Sequence, residues 1–236
     1  MKNPLRYSWM AALALGSASG LSGAVAFVNG DFEANADAYV VWPGYNGSTG
    51  VNTQPPPSNP SAAAGWTAEG GAGVNKDGLI STDSIIGGGQ FVGAPVNPFI
   101  DNGVKTGGVA FLQGNSHIEQ TISGFVAGAQ YILSFDYNAR NGPATEGSVF
   151  INGTQVIPWS TVTAVGGANP FYTLSVPFPA SADTLTFRFA NRVPAAGGDV
   201  TLLLDNISVR AVPEPGAAAL LLLGSAALLR RGRRQA

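Results

Sequence analysis

The stretch from Gln130 to Arg140 alternates apolar and polar side chains with the period of a β-strand. One face holds Tyr131, Leu133, Phe135 and Tyr137, and the other holds Ser134, Asp136, Asn138 and Arg140. This alternation is typical of a strand that buries one face of an antiparallel sheet. Because no long helical period precedes the C-terminal residues, we predict an all-β fold.

Other strands follow from similar patterns. Asn152-Gly153 between Ser148–Ile151 and Thr154–Ile157 indicates a two-residue hairpin, since both turn positions need a positive φ. Further strands are predicted at Thr184–Asn191, Thr201–Arg210, Gly108–Leu112, His117–Ile122 and Tyr172–Phe178, near Phe32 and at Trp66. Nine or ten short strands joined by turns favour an antiparallel β-sandwich.

The N-terminal residues have the layout of a secretory signal peptide. Lys2 and Arg6 precede a mostly apolar run, and Ala24-Val25-Ala26 is a small-residue cleavage site. We predict cleavage after Ala26. A retained signal anchor is the alternative.

The C-terminal residues combine a chain breaker, a short apolar run and a basic end. Pro213-Glu214-Pro215 comes first, 13 apolar or small residues run from Ala217 to Leu229, and four arginines follow. Thirteen helical residues reach about 20 Å, against about 30 Å for the hydrocarbon core of a bilayer. The run therefore indicates a transient membrane signal, with a short C-terminal core helix as the alternative.

The order of these C-terminal features resembles the PEP-CTERM sorting signal of Gram-negative bacteria, with Pro213, Glu214 and Pro215 as the sorting motif. The resemblance implies processing by an exosortase-type membrane protease and a transient inner-membrane stage. Delivery to the cell surface or the extracellular matrix would follow, in association with exopolysaccharide and biofilm. We expect three segments: a signal peptide over 1–26, a body over 27–210 and a sorting signal over 211–236.

Charge and cysteine content exclude several classes of function. The two predicted signals hold six of the 12 basic residues and one of the 14 acidic residues, so the body has six basic and 13 acidic residues and a net charge of −7. An acidic body argues against nucleic acid and anionic lipid surfaces as partners. The chain has no cysteine, which excludes disulfides, thiolate catalysis and cysteine zinc sites.

Three pieces of the body resemble the galactose-binding-like jelly roll of carbohydrate-binding modules. They are Asn29–Glu33 with Gly65-Trp66, Val126–Phe135, and Leu203–Val209. The resemblance implies a structural calcium held by Glu33 and Asp205, with Asp31 as a further ligand, although Asn206 stands where some members have a second acid. The alternative is that these carboxylates are ordinary surface groups. Trp66 is predicted to lie in the core.

Sugar binding needs aromatic platforms and planar polar side chains, because C–H faces stack on rings and hydroxyls need hydrogen bonds. The aromatic residues outside the clearest strands are Trp42, Tyr45, Trp159, Phe171 and Tyr172. Trp42 and Tyr45, in the Pro- and Gly-rich segment Asn35–Gly65, are the preferred candidates, since such long loops are often functional. Asn138 and Arg140 would supply polar contacts. Loop aromatics that merely cap the sandwich are the alternative.

No catalytic pattern stands out. His117 is the single histidine, the body has no G-x-S-x-G motif, and the spacing of Glu119, Asp136 and Glu146 singles out none of them. We therefore predict a non-enzymatic surface or exopolysaccharide-matrix protein that binds glycan. The alternatives are an adhesive matrix protein without a sugar pocket and a glycan-active hydrolase, which needs only two carboxylates.

Overall fold

The structure, a computed structural model, describes residues 25–41, 44–47, 58–75, 107–166 and 169–213. Apart from one short 3-10 turn at Ala36–Ala38, the regular elements of these residues are strands. They are β1 (Thr67–Asn75), β2 (Val109–Ser123), β3 (Gln130–Ala139), β4 (Thr145–Ile151), β5 (Thr154–Val162), β6 (Tyr172–Pro179), β7 (Thr184–Arg192) and β8 (Thr201–Ala211). The predicted all-β class is confirmed.

All strand pairs are antiparallel, and the eight strands form one continuous sheet in the order β5-β4-β7-β2-β8-β3-β6, with β1 paired to β2. This sheet folds over at β2 into two halves, each of which is described below as a sheet. Residues 116–123 of β2 pair with β7, whereas residues 110–113 pair with β8. We call β1, β2, β7, β4 and β5 sheet A, and β2, β8, β3 and β6 sheet B. The end strands β5 and β6 contain Pro158, Pro177 and Pro179, which lack the N–H that a further strand would need.

The two sheets pack face to face. Phe135 of β3 and Phe189 of β7 are not on neighbouring strands, yet their ring centroids lie 5.2 Å apart. Phe178 of β6 and Phe187 of β7 make a second contact of this kind at 5.6 Å. These contacts bury Leu133 and Leu185 fully between the sheets. The architecture is therefore a β-sandwich.

Several local predictions are confirmed. Tyr131, Leu133 and Phe135 are buried, as the alternation of β3 requires. The hairpin between β4 and β5 turns at Asn152 and Gly153, whose φ angles are 48° and 77°.

The predicted number of strands is wrong, although residues 109–112 and 117–122 are in a strand as predicted. The predicted strands Gly108–Leu112 and His117–Ile122 are both part of β2, in which Gly114 takes a φ of 65° where the strand changes partner from β8 to β7. Phe32 lies in a turn with a φ of 57°, and its side chain is fully buried. The described residues consequently hold eight strands instead of nine or ten.

Phe27 begins the predicted mature body and packs into the sandwich. Its ring stacks on Trp66 with centroids 5.5 Å apart and meets Phe187 edge-on at 5.1 Å. Trp66 is buried, as predicted, and its Nε1 donates to the carbonyl of Asn29 at 3.0 Å. The N-terminal segment from Phe27 thus belongs to the core.

The predicted signals fall mostly outside the described residues. These include residues 1–24, Glu214, Pro215 and the apolar run that follows. β8 ends at Ala211, and the N–H of Val212 donates to the carbonyl of Gln130 at 2.8 Å just before Pro213. Within the described ranges, no helix is long and apolar enough to cross a membrane.

Replacing Phe187 by Ala is expected to lower the free energy of unfolding by about 3–5 kcal/mol, because the ring is fully buried and contacts Phe27, Phe125 and Phe178. Chemical denaturation measures this change. Val126→Ala is the control, since Val126 is 54% exposed and its loss should change stability by less than about 0.5 kcal/mol. Equal effects of the two substitutions would contradict the assigned core.

Candidate functional site

The outer face of sheet A holds a groove of about 370 Å³. Alternate residues of a strand share a face, so strand register decides which side chains meet there. His117 of β2 lies opposite Ala190 of β7, and Glu119 lies opposite Arg188. Glu146 of β4 lies opposite Arg192. All five strands of sheet A contribute to the lining.

Ala190 makes the groove possible. It is the one small side chain between two arginines, Arg188 and Arg192, on the outer face of β7. The lining extends to Glu69 on β1 in one direction and to Trp159 on β5 in the other. Trp159 and Phe150 form an aromatic pair with centroids 6.2 Å apart. The groove therefore crosses the strands, and Ala190 contributes a small side chain to its lining.

Ion pairs hold both arginines in place. Arg188 donates from Nε and Nη2 to Oε2 of Glu119, at 2.9 and 2.8 Å. Arg192 donates from Nε to Oε2 of Glu146 at 2.5 Å. The guanidinium carbon of Arg192 also lies 4.5 Å from the ring centroid of Trp159, a cation–π contact. Chemically, the groove offers an aromatic ring beside fixed hydrogen-bond donors and acceptors.

The predicted ligand residues Tyr45 and Arg140 lie outside the groove: Tyr45 forms a β-bridge with Gly73 of β1, and Arg140 directly follows β3. Nη2 of Arg140 pairs with Oδ2 of Asp199 at 2.5 Å, and Gln113 donates to the same carboxylate. Burial raises the pKa of Asp199, but the hydrogen bonds from Arg140 and Gln113 and the charge of Arg140 leave that pKa below its ordinary value. The structure thus places Arg140 in an ion pair.

Tyr45 covers a second, small apolar cluster. Its ring lies 5.1 Å from that of Phe111, and Val109, Phe171 and Leu203 complete the cluster. Burial raises the pKa of Tyr45, and the charge of Asp199 adds to the rise while Arg140 opposes it. The structure thus brings Tyr45 and Arg140 into one region. Buried Phe171 fits the alternative that loop aromatics cap the sandwich.

Asn138 is fully buried, and its Oδ1 accepts from the N–H groups of Ala139 and Val165 at 2.8 and 2.9 Å. This position does not support a contact with ligand. Trp42 lies outside the described residues.

Sequence reasoning missed Asn59, which holds the segment around Tyr45. Its side chain bonds both the N–H and the C=O of Val41, and it also bonds the C=O of Tyr45. In the sequence, only the position of Asn59 in the Pro-rich segment could have drawn attention to it.

The three predicted calcium ligands have separate partners. Oε1 of Glu33 accepts from the N–H of Gly108 at 2.7 Å, and Oδ1 of Asp31 lies 3.4 Å from the N–H of Glu33. Asp205 is buried, and its Oδ1 accepts from the N–H of Asn206 at 2.7 Å. No group of three or more His, Cys, Asp or Glu side chains suited to a metal occurs in the described part of the chain. Calcium binding stays a prediction.

No protein-family model matches the chain, and no curated protein matches it. Solved structures do. The CBM22-1 xylan-binding domain of Paenibacillus barcinonensis Xyn10C is 13% identical over 65% of this chain and 89% of its own, with a TM-score of 0.41. CBM35 of the same organism is 17% identical over 64% and 96%, with a TM-score of 0.38.

A third neighbour is the EclA C-terminal domain, a sugar-binding protein, which is 20% identical with a TM-score of 0.33. That match covers 39% of this chain and 64% of the other, less than two thirds of its length. The first two of these neighbours are carbohydrate-binding modules, and the third is a sugar-binding protein.

The pair Arg140–Asp199 predicts a pH dependence of stability. The lowered pKa of Asp199 means that its stabilising effect is present above the pKa of an unfolded Asp, about 3.9, and is lost as pH falls through the folded value. Asp199→Asn should therefore lower Tm at neutral pH and have little effect near pH 2. Asp183→Asn is the matched control on the exposed surface. A Tm difference that is equal at both pH values would contradict this assignment.

Proposed function

We propose that the folded body binds polysaccharide in the groove on the outer face of sheet A. The observation that supports this most is the ring of Trp159 in the lining of the groove, with the guanidinium carbon of Arg192 4.5 Å from the ring centroid and the small side chain of Ala190 in the same lining. Sugar rings present C–H faces that pack on aromatic rings, and their hydroxyls need both donors and acceptors. The groove supplies all three.

Fixed side chains favour binding, because little side-chain freedom is left to lose when the ligand arrives. Arg188 and Arg192 are each held by a glutamate before any ligand binds. The planar guanidinium group also presents several N–H donors in fixed directions, which suits adjacent hydroxyl groups. The groove is therefore organised for recognition in advance.

The same contacts argue for a non-catalytic role. Glycoside hydrolysis uses two carboxyl groups that flank the scissile bond, one as acid and one as base or nucleophile. Oε2 of Glu119 and Oε2 of Glu146 each accept from an arginine that lines the groove. We propose binding without cleavage.

Affinity gel electrophoresis with a panel of soluble polysaccharides tests the groove. Trp159→Ala should weaken retention by at least about tenfold, or about 1.4 kcal/mol, because the aromatic platform is lost. Ala190→Trp should abolish retention, because the large ring would fill part of the groove that Ala190 lines. Tyr172→Ala removes an aromatic ring that is 40% exposed on β6 of sheet B, and it should leave retention unchanged.

Other results separate the alternatives. Retention that Trp159→Ala and Ala190→Trp leave intact would place the site elsewhere. No retention of the unaltered protein by any polysaccharide would favour the adhesive protein without a sugar pocket. Release of reducing sugar would favour the hydrolase.

We further propose that the chain is exported and sorted to the surface or the matrix through its terminal segments. Support comes from the n-region with its cleavage site and from Pro213-Glu214-Pro215 followed by the apolar run and four arginines. In a Gram-negative host that has an exosortase, Glu214→Ala should leave a longer chain in the membrane fraction on immunoblots. Val212→Ala is the neighbouring control. Identical processing of both variants would contradict a sorting role for the motif.

A further inference from the structure

The cationic side chains of the groove each lie beside a carboxylate. Arg188 donates twice to Glu119, and Arg192 donates once to Glu146. Nε2 of His117 lies 3.7 Å from Oε2 of Glu69. Among the described residues of this face, two arginines and one histidine therefore stand against three glutamates. With a neutral histidine, the formal charge of these six residues is −1.

This arrangement disfavours an anionic ligand. A uronate or a sulfate would have to displace Glu119 or Glu146 to gain an arginine, or else lie next to the displaced carboxylate. Like charges at such short range oppose binding. The body as a whole adds to the effect, because six basic residues against 13 acidic ones give an acidic surface over which an anionic chain must approach.

Uncharged hydroxyl groups are not repelled by these carboxylates. A guanidinium has five N–H donors, and the pairs of Arg188 and Arg192 with glutamate use only two and one of them. The second oxygen of each glutamate can still accept. The arginines thus offer donors and the adjacent glutamates offer acceptors, and each sugar hydroxyl can act as both.

The width of the sheet bears on ligand length. From Glu69 on β1 to Trp159 on β5 there are four gaps between neighbouring strands, at about 4.8 Å each, or about 19 Å in total. That span is several times the width of one sugar ring. A single sugar would leave most of the groove empty.

We infer that the groove takes a run of several sugar units of an uncharged polysaccharide and discriminates against acidic chains. This inference rests on the proposed binding function. It assigns the Arg188–Glu119 and Arg192–Glu146 pairs the role of rejecting carboxylated and sulfated glycans.

Affinity electrophoresis with two sets of probes tests the inference: neutral xylan, β-glucan and galactomannan against alginate, pectate and hyaluronan. The unaltered protein should be retained by at least one neutral chain, with little change between about 50 and 500 mM salt, since an uncharged ligand gives salt nothing to screen. Long oligosaccharides of the retained chain should compete much better than its monosaccharide.

The double variant Glu119→Gln/Glu146→Gln frees both arginines. It should gain at least about tenfold in affinity for an acidic chain, and this gain should fade at high salt. Asp183→Asn removes one carboxylate outside the groove and should produce no such gain. The Tm of each variant confirms that it is folded.

The outcomes are distinguishable. Tighter binding of an acidic chain by the unaltered protein would overturn the inference and leave the proposed function standing. Failure of the folded double variant to gain acidic binding would overturn the role given to the ion pairs. If neither set of probes is retained, the proposed function itself fails and the inference fails with it.

Discussion

Burial of the aromatic side chains of β7 between the two sheets determines the rest of the structure. Phe187 and Phe189 face β6 and β3, so Arg188, Ala190 and Arg192 must face outward. A shift of one residue would exchange the two sets, placing two arginines in the core. Because burying two arginines would cost free energy, the register of β7 is fixed. This register places Arg188, Ala190 and Arg192 in the lining of the groove.

The long strand β2 connects the two sheets, because it pairs with β7 in sheet A and with β8 in sheet B. Gly114 allows the strand to bend where its pairing changes from β8 to β7. The backbone at this bend is satisfied by buried Asn191, whose Nδ2 donates to the carbonyls of Leu112 and Gly114 at 2.9 Å each. Because Asn191 lies between Ala190 and Arg192, the same residues close the sandwich and shape the groove.

Local patterns predicted the strands but not the site. The alternation in β3 and the Asn152-Gly153 turn depend on neighbours in sequence, and they were correct. Phe32 is a residue type common in strands, but its N–H donates to the carbonyl of Asn29 in a turn with a φ of 57°. The groove depends on the pairing of β2 with β7 and of β7 with β4, which are not consecutive. Trp159 was noted as an aromatic candidate, but nothing in the spacing indicated that Arg192 would stack on it.

The ion pairs of the groove call for an explanation beyond stability. Arg188 and Arg192 are about half exposed, and pairs at such positions contribute about 0–1 kcal/mol each, reduced further by salt. Unpaired charged side chains of either sign would be enough to keep the outer face of a sheet hydrated. Pairing each arginine across strands has a different consequence: it holds the guanidinium groups beside Ala190 and Trp159 while cancelling their charge. Such a face keeps directional hydrogen bonding and gives up attraction for anions, which suits the proposed recognition of uncharged hydroxyl groups.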